Sequence, residues 1–136
     1  MQHASVFIPE PDRLLLWRCR RLKEDLAGLE RVLPKPEVVA LLARLPLYEL
    51  PRSKRKQVAC ILRLKSMQDE KQAELDGISI KAEIAAHRIE HENLRRIVKL
   101  YCLDGLSIAD TAKDCPCSTG TVRKYINLLN RPSESA

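Results

Sequence analysis

The segment Asp114–Tyr125, DCPCSTGTVRKY, concentrates reactive side chains. Cys115 and Cys117 flank Pro116, and a small polar run leads into Arg123 and Lys124. Three chemistries suit such a set. Two thiolates could hold a soft metal ion, completed by Cys102 or by His87 and His91, which stand at the i, i+4 spacing of one helix face. The same thiols could cycle between dithiol and disulfide. Alternatively, the cysteines are small apolar side chains closing a turn, and the chemistry lies in the polar and cationic residues that follow.

Spacing argues for the third. Cys-x-Cys is not the usual zinc-knuckle interval, and no second close pair stands nearby in the chain. A helical repeat explains His87 and His91 as seam positions, and core thiols are generally inert. No metal and no cofactor are therefore expected. From Cys115 to Pro132 there is no acidic residue. Thr119, Thr121, Arg123, Lys124 and Asn127 then present hydroxyl, amide and cationic groups without a carboxylate among them, a set that suits base edges and phosphates in a duplex groove.

The elements that would position those groups can be read from Glu92 onward. A first helix has Leu94, Ile97, Val98, Leu100 and Tyr101 on its buried side and ends at Asp104-Gly105, where glycine can take the left-handed conformation. Ser107 caps a second helix, with Asp110 three residues later. Ala112 sits at its middle, small enough for two crossing helices to approach. Pro116 disfavours helix at Cys115 and ends it. Ser118 caps a third helix, residues 118–130, anchored by Val122, Ile126 and Leu129.

The stretch GLSIADTAKDCPCSTGTVRKYI resembles the helix-turn-helix of LuxR-type regulators and of region four of sigma-70 factors. The matching positions are Gly105, Leu106, Ser107, Ala112, Ser118, Gly120, Thr121 and Val122. Thr111 stands where that family usually has Ile, Cys115 where it has Leu, and Pro116 where it has the turn glycine, so the turn must be built differently. The layout is also similar to small phage late-gene regulators of the ArpU/RinA kind. The resemblance implies a recognition helix in the major groove of double-stranded DNA. Thr119, Thr121, Arg123, Lys124 and Asn127 would lie at or near the bases, and Ser107, Ser118 and Arg131 on phosphate. Two alternatives are a phage small terminase subunit acting as a packaging adaptor, and a sigma-like factor docking on RNA polymerase.

Composition agrees with an all-α chain. Among 136 residues, 45% are hydrophobic and 31% charged, with 4% aromatics and four glycines, a balance that favours helix over β-sandwich. The net charge of +6 suits an anionic partner. Five scattered cysteines make a poor disulfide framework, and a reducing cytoplasm is the expected setting. The first residues lack the pattern of a secretory leader, and no apolar run is long enough for a membrane helix. The absence of a P-loop, a dinucleotide-binding turn or a nucleophile–base set argues against an enzyme.

The expected organisation is a flexible arm (1–10), a helical oligomerisation region (11–77), a DNA-binding domain (78–131) and a tail (132–136). A helix to Val32 carries a heptad seam of Leu15, Cys19, Leu22, Leu26, Leu29 and Leu33. That seam serves either an internal helix pair or the zipper of a homodimer or higher homo-oligomer. A short helix lies between prolines in PEVVALLARLP. A third, capped by Ser53, runs to about Leu75 and stops at Gly77. Its first turn holds Arg52, Lys54, Arg55 and Lys56, cations at the positive end of the helix dipole. They are either candidate phosphate contacts or a screened surface turn. A further helical stretch from Ser79 would bury Ile80, Ile84, His87, His91, Leu94, Val98 and Tyr101, as one helix or as two meeting near His91–Asn93.

Overall fold

The computed structural model of the chain describes residues 7–129. Among these residues there are six α-helices and no strand: α1 (Glu10–Val32), α2 (Pro36–Ala43), α3 (Arg52–His87), α4 (Glu92–Val98), α5 (Ile108–Asp114) and α6 (Thr119–Leu129). A single 3-10 turn, Leu47–Glu49, precedes α3, and α4 continues into a π-helical turn, Lys99–Leu103. No described helix is long and apolar enough to cross a membrane.

The chain forms two compact units, one from Met1–Lys23 with Leu75–Ala136 and the other from Glu24–Glu74. The expected boundary at residues 77 and 78 therefore falls inside α3. Gly77 does not stop that helix: it sits exposed in its interior with open space where a Cβ would lie. A lone glycine costs a helix about 1 kcal/mol relative to alanine, too little to end a 36-residue element. Ser53 is not the cap, because α3 starts one residue earlier and Arg55 N–H already donates to the Pro51 carbonyl at 2.9 Å. At the other end of the chain, Ile8 of the expected arm is buried and α1 begins at Glu10. Residues 1–6 and the tail lie outside the described residues.

In the unit of residues 24–74, Leu29, Val39 and Val58 form a small buried core. Pro36 opens α2 at a position where its missing N–H costs nothing. Lys71 pairs with Asp25 at 3.1 Å.

The other unit holds most of the buried apolar residues. Leu16, Cys19 and Leu22 of α1 are fully buried, as are Ala82, Ala85 and Ala86 of α3. Cys19 and Leu22 of the leucine seam are thus enclosed within the chain's own core, while Leu15 and Leu26 are half-buried. Leu16 rather than Leu15 is the fully buried member of the first turns. The three alanines occupy the buried side of α3, the side to which the sequence pattern assigns Ile80 and Ile84. Those isoleucines are instead 69% and 47% exposed.

The helical stretch after Ser79 is two helices, broken at Arg88–His91. His91 is not a seam residue but the N-cap of α4, its Nδ1 accepting the Leu94 N–H at 3.2 Å. Leu94, Ile97, Val98, Tyr101 and Cys102 are buried beyond it. The widened turn ends with Asp104 N–H donating to the Lys99 carbonyl at 2.9 Å. Gly105 follows at φ 76°, the left-handed conformation expected of it and the single positive φ among the described residues.

Candidate nucleic-acid interface

Packing of α4, α5 and α6 decides which side of α6 is left open. Val122, Ile126 and Leu129, at spacings of four and three, are buried, and α6 packs against both α4 and α5. Ala112 is buried on α5, as close approach of α5 and α6 requires. Two serines fix the helix starts. Ser107 Oγ accepts the Asp110 N–H at 3.1 Å, and Ser118 Oγ accepts the Thr121 N–H at 3.1 Å.

The turn between them, Cys115–Ser118, is closed without any left-handed residue. Cys115 N–H donates to the Thr111 carbonyl at 2.9 Å and Cys117 N–H to the Ala112 carbonyl at 3.3 Å. Cys115 leaves the helical region at φ −107°, ψ 85°, the extended side that a following proline favours. A proline therefore serves where a glycine turn would need positive φ. Cys115 is buried in the corner, whereas Cys117 is only half-buried. The Cys117 thiol is pushed up by desolvation first and then by the adjacent Cys115, which also hydrogen-bonds it. Cys117 thus holds a protonated thiol at neutral pH. Among the described residues, no group of three His, Cys, Asp or Glu side chains is gathered so as to hold a metal ion.

The outer side of α6 carries Thr119, Gly120, Arg123, Lys124 and Asn127, all exposed. Gly120, Arg123, Lys124, Asn127 and Leu128 line a shallow depression. No acidic side chain lies on the helix, and its first turn has none. Arg123 and Lys124 form no ion pair among the described residues, so their charge is not spent within this part of the chain. Thr121 differs from its neighbours: half-buried, its Oγ1 lies 2.9 Å from Ser118 Oγ. Ser118 and Thr121 are bonded to each other, while Thr119, Arg123, Lys124 and Asn127 form the open set. Ser107 is exposed and retains an O–H to donate beyond its cap. Arg131 lies outside the described residues.

Arg52, Lys54, Arg55 and Lys56 are all exposed at the start of α3, with no acid in that turn. They belong to the unit of residues 24–74, whereas α6 belongs to the other.

Two side chains outside the sequence expectations support the site. Tyr125, half-buried on α6, has its ring centroid 5.5 Å from that of His91, the cap of α4, with the planes inclined by 48°. Arg20 of α1 donates to the Tyr101 carbonyl at 2.9 Å and the Leu106 carbonyl at 2.7 Å. It thereby holds both ends of the link between the π turn and α5. The Tyr125 contact had a local signal, an aromatic beside Ile126. The Arg20 contacts had none, because their partners are 81 and 86 residues away.

No family model matches the chain, and no curated protein or solved structure is significantly similar to it.

Proposed function

We propose that this protein binds double-stranded DNA in a sequence-specific manner through α6 and regulates transcription. The observation that carries the reading is the division of α6 into two sides. Val122, Ile126 and Leu129 are buried, and Thr119, Arg123, Lys124 and Asn127 are open with no carboxylate among them. A helix with its side chains is about 10–12 Å across, and the major groove of B-DNA is about 12 Å wide. The 11 residues of α6 give a rod of about 16 Å, enough to span a few base pairs.

Roles follow from side-chain chemistry. Arg123 can give two parallel donors to the N7 and O6 of guanine, and Asn127 can pair with the N6 and N7 of adenine. Lys124, a compact charge on a flexible stem, suits a phosphate. Thr119 stands at the end of the helix dipole that favours an anion. The net charge of +6 attracts the same polyanion from a distance.

Selection of bound duplexes from a random pool, with the full chain as bait, tests the reading. Enrichment of a defined motif is the expected result. Enrichment that tracks duplex length alone would point instead to a packaging adaptor. A pool with no enrichment and no retention at low salt would sink DNA binding altogether.

A further inference from the structure

We propose that a second copy of this chain packs, parallel and in register, along the outward stripe of α3 formed by Gly77, Ile80, Ile84 and His87. These residues step by three, four and three and all are exposed. That is the a and d spacing of a coiled-coil seam, on the side of α3 opposite the buried Ala82, Ala85 and Ala86. Apart from its chain neighbours and its own helix backbone, nothing lies within 4 Å of where a Gly77 Cβ would be, so a partner backbone can come close there. Ile84 and His87, with Glu83 and Arg88, line an open depression.

Charge complementarity identifies the occupant. With Gly77 and Ile84 at a, the flanking g positions are Asp76 and Glu83, and the e positions are Lys81 and Arg88. In a parallel pair each g residue meets the e residue five places further along the partner helix. Asp76 then meets the partner's Lys81, and Glu83 the partner's Arg88. An antiparallel pair would set g against g and e against e, which is acid on acid and base on base. The helical pattern reaches the last of these residues, since Arg88 N–H still donates to the Ile84 carbonyl at 3.1 Å. Arg88 also pairs with Asp12 of its own chain at 3.5 Å, but its side chain is 67% exposed and open to a second carboxylate. One surface meeting its own copy is the isologous arrangement of a two-fold dimer. The seam is short, so association depends on concentration. The inference stands on α3 alone and does not require DNA binding.

Sedimentation velocity of the full chain over a range of concentrations tests it. A monomer–dimer equilibrium is expected, weakened by roughly tenfold or more in Ile80→Lys/Ile84→Lys. The circular dichroism of that variant should be unchanged, because both side chains are exposed. Lys81→Glu should weaken the dimer, and Asp76→Lys/Lys81→Glu on one chain should restore it. In a Cys60→Ser background, Ile84→Cys should oxidise to a covalent dimer, since an a position faces itself across a parallel pair. A chain that stays monomeric throughout, or a dimer indifferent to the paired lysines, overturns the proposal. So does a lysine-sensitive dimer that neither cross-links through position 84 nor responds to the charge exchange.

Discussion

The guanidinium carbon of Arg20 lies 3.9 Å from the centroid of the Tyr101 ring, and the same side chain donates to the Tyr101 carbonyl at 2.9 Å. Tyr101 sits in the π turn, where widening of the helix removes the regular acceptor pattern. Arg20 supplies donors to that carbonyl and to Leu106, one residue before the Ser107 cap. Residues far apart in sequence thus fix the entry to α5, and through α5 the placement of α6.

Arg20→Met, which keeps an apolar stem but no donors, should cost about 2–4 kcal/mol in urea unfolding. Arg20→Lys should recover less than half of that, since an ammonium cannot reproduce the planar fork. If Arg20→Met unfolds at the wild-type midpoint, the two carbonyl bonds contribute nothing to the fold.

Thr111 is fully buried in α5 and its hydroxyl has no hydrogen-bond partner among the described residues. An unpaired buried hydroxyl is worse than a methyl of the same shape. Thr111→Val should therefore raise stability by about 1 kcal/mol, whereas Thr111→Ser keeps the hydroxyl and adds a void, and should lower it. Thermal unfolding of the two variants beside wild type checks the order; a destabilised valine variant contradicts it.

Cys102 is buried and its thiol is pushed up to about 12 from 9.0, chiefly by desolvation, with Cys19 adding and Arg20 opposing. The folded value lies above the unfolded one, so its contribution to stability is complete below about pH 9. It is lost as pH rises from about 9 towards about 12, at up to about 1.4 kcal/mol per pH unit. Chemical unfolding across that window should fall more steeply for wild type than for Cys102→Ala. Equal slopes would remove Cys102 as the cause. At neutral pH a thiol reagent should label exposed Cys60 and spare Cys102 in the folded chain.

Where local rules act alone, the sequence is transparent. Gly105 takes positive φ, Ser107 and Ser118 accept N–H groups from their own first turns, and Val122 and Ile126 bury. Ala112 lies in the packed corner. Counting failed where a break reset the phase. Of the two arrangements open to the stretch after Ser79, one helix or two, the interruption at Arg88–His91 gives two, and it makes His91 a cap where the unbroken count made it a seam residue. Hydrophobicity failed on α3, where small alanines take the inside and larger isoleucines stay outside. Propensity failed at Gly77, because a single glycine is outweighed by the turns on both sides of it. The contacts of Arg20 depend on pairing across the chain, which no local pattern encodes.

Binding of a selected duplex to the full chain, followed by fluorescence anisotropy for wild type and Arg123→Ala/Lys124→Ala, addresses the claim for α6 most directly. Both side chains are exposed, so the variant should unfold within about 0.5 kcal/mol of wild type. Its affinity should fall by at least about tenfold, with a shallower dependence on salt and less discrimination between the selected and a scrambled duplex. A folded variant that binds both duplexes as wild type does would show that DNA is held elsewhere or not by this helix.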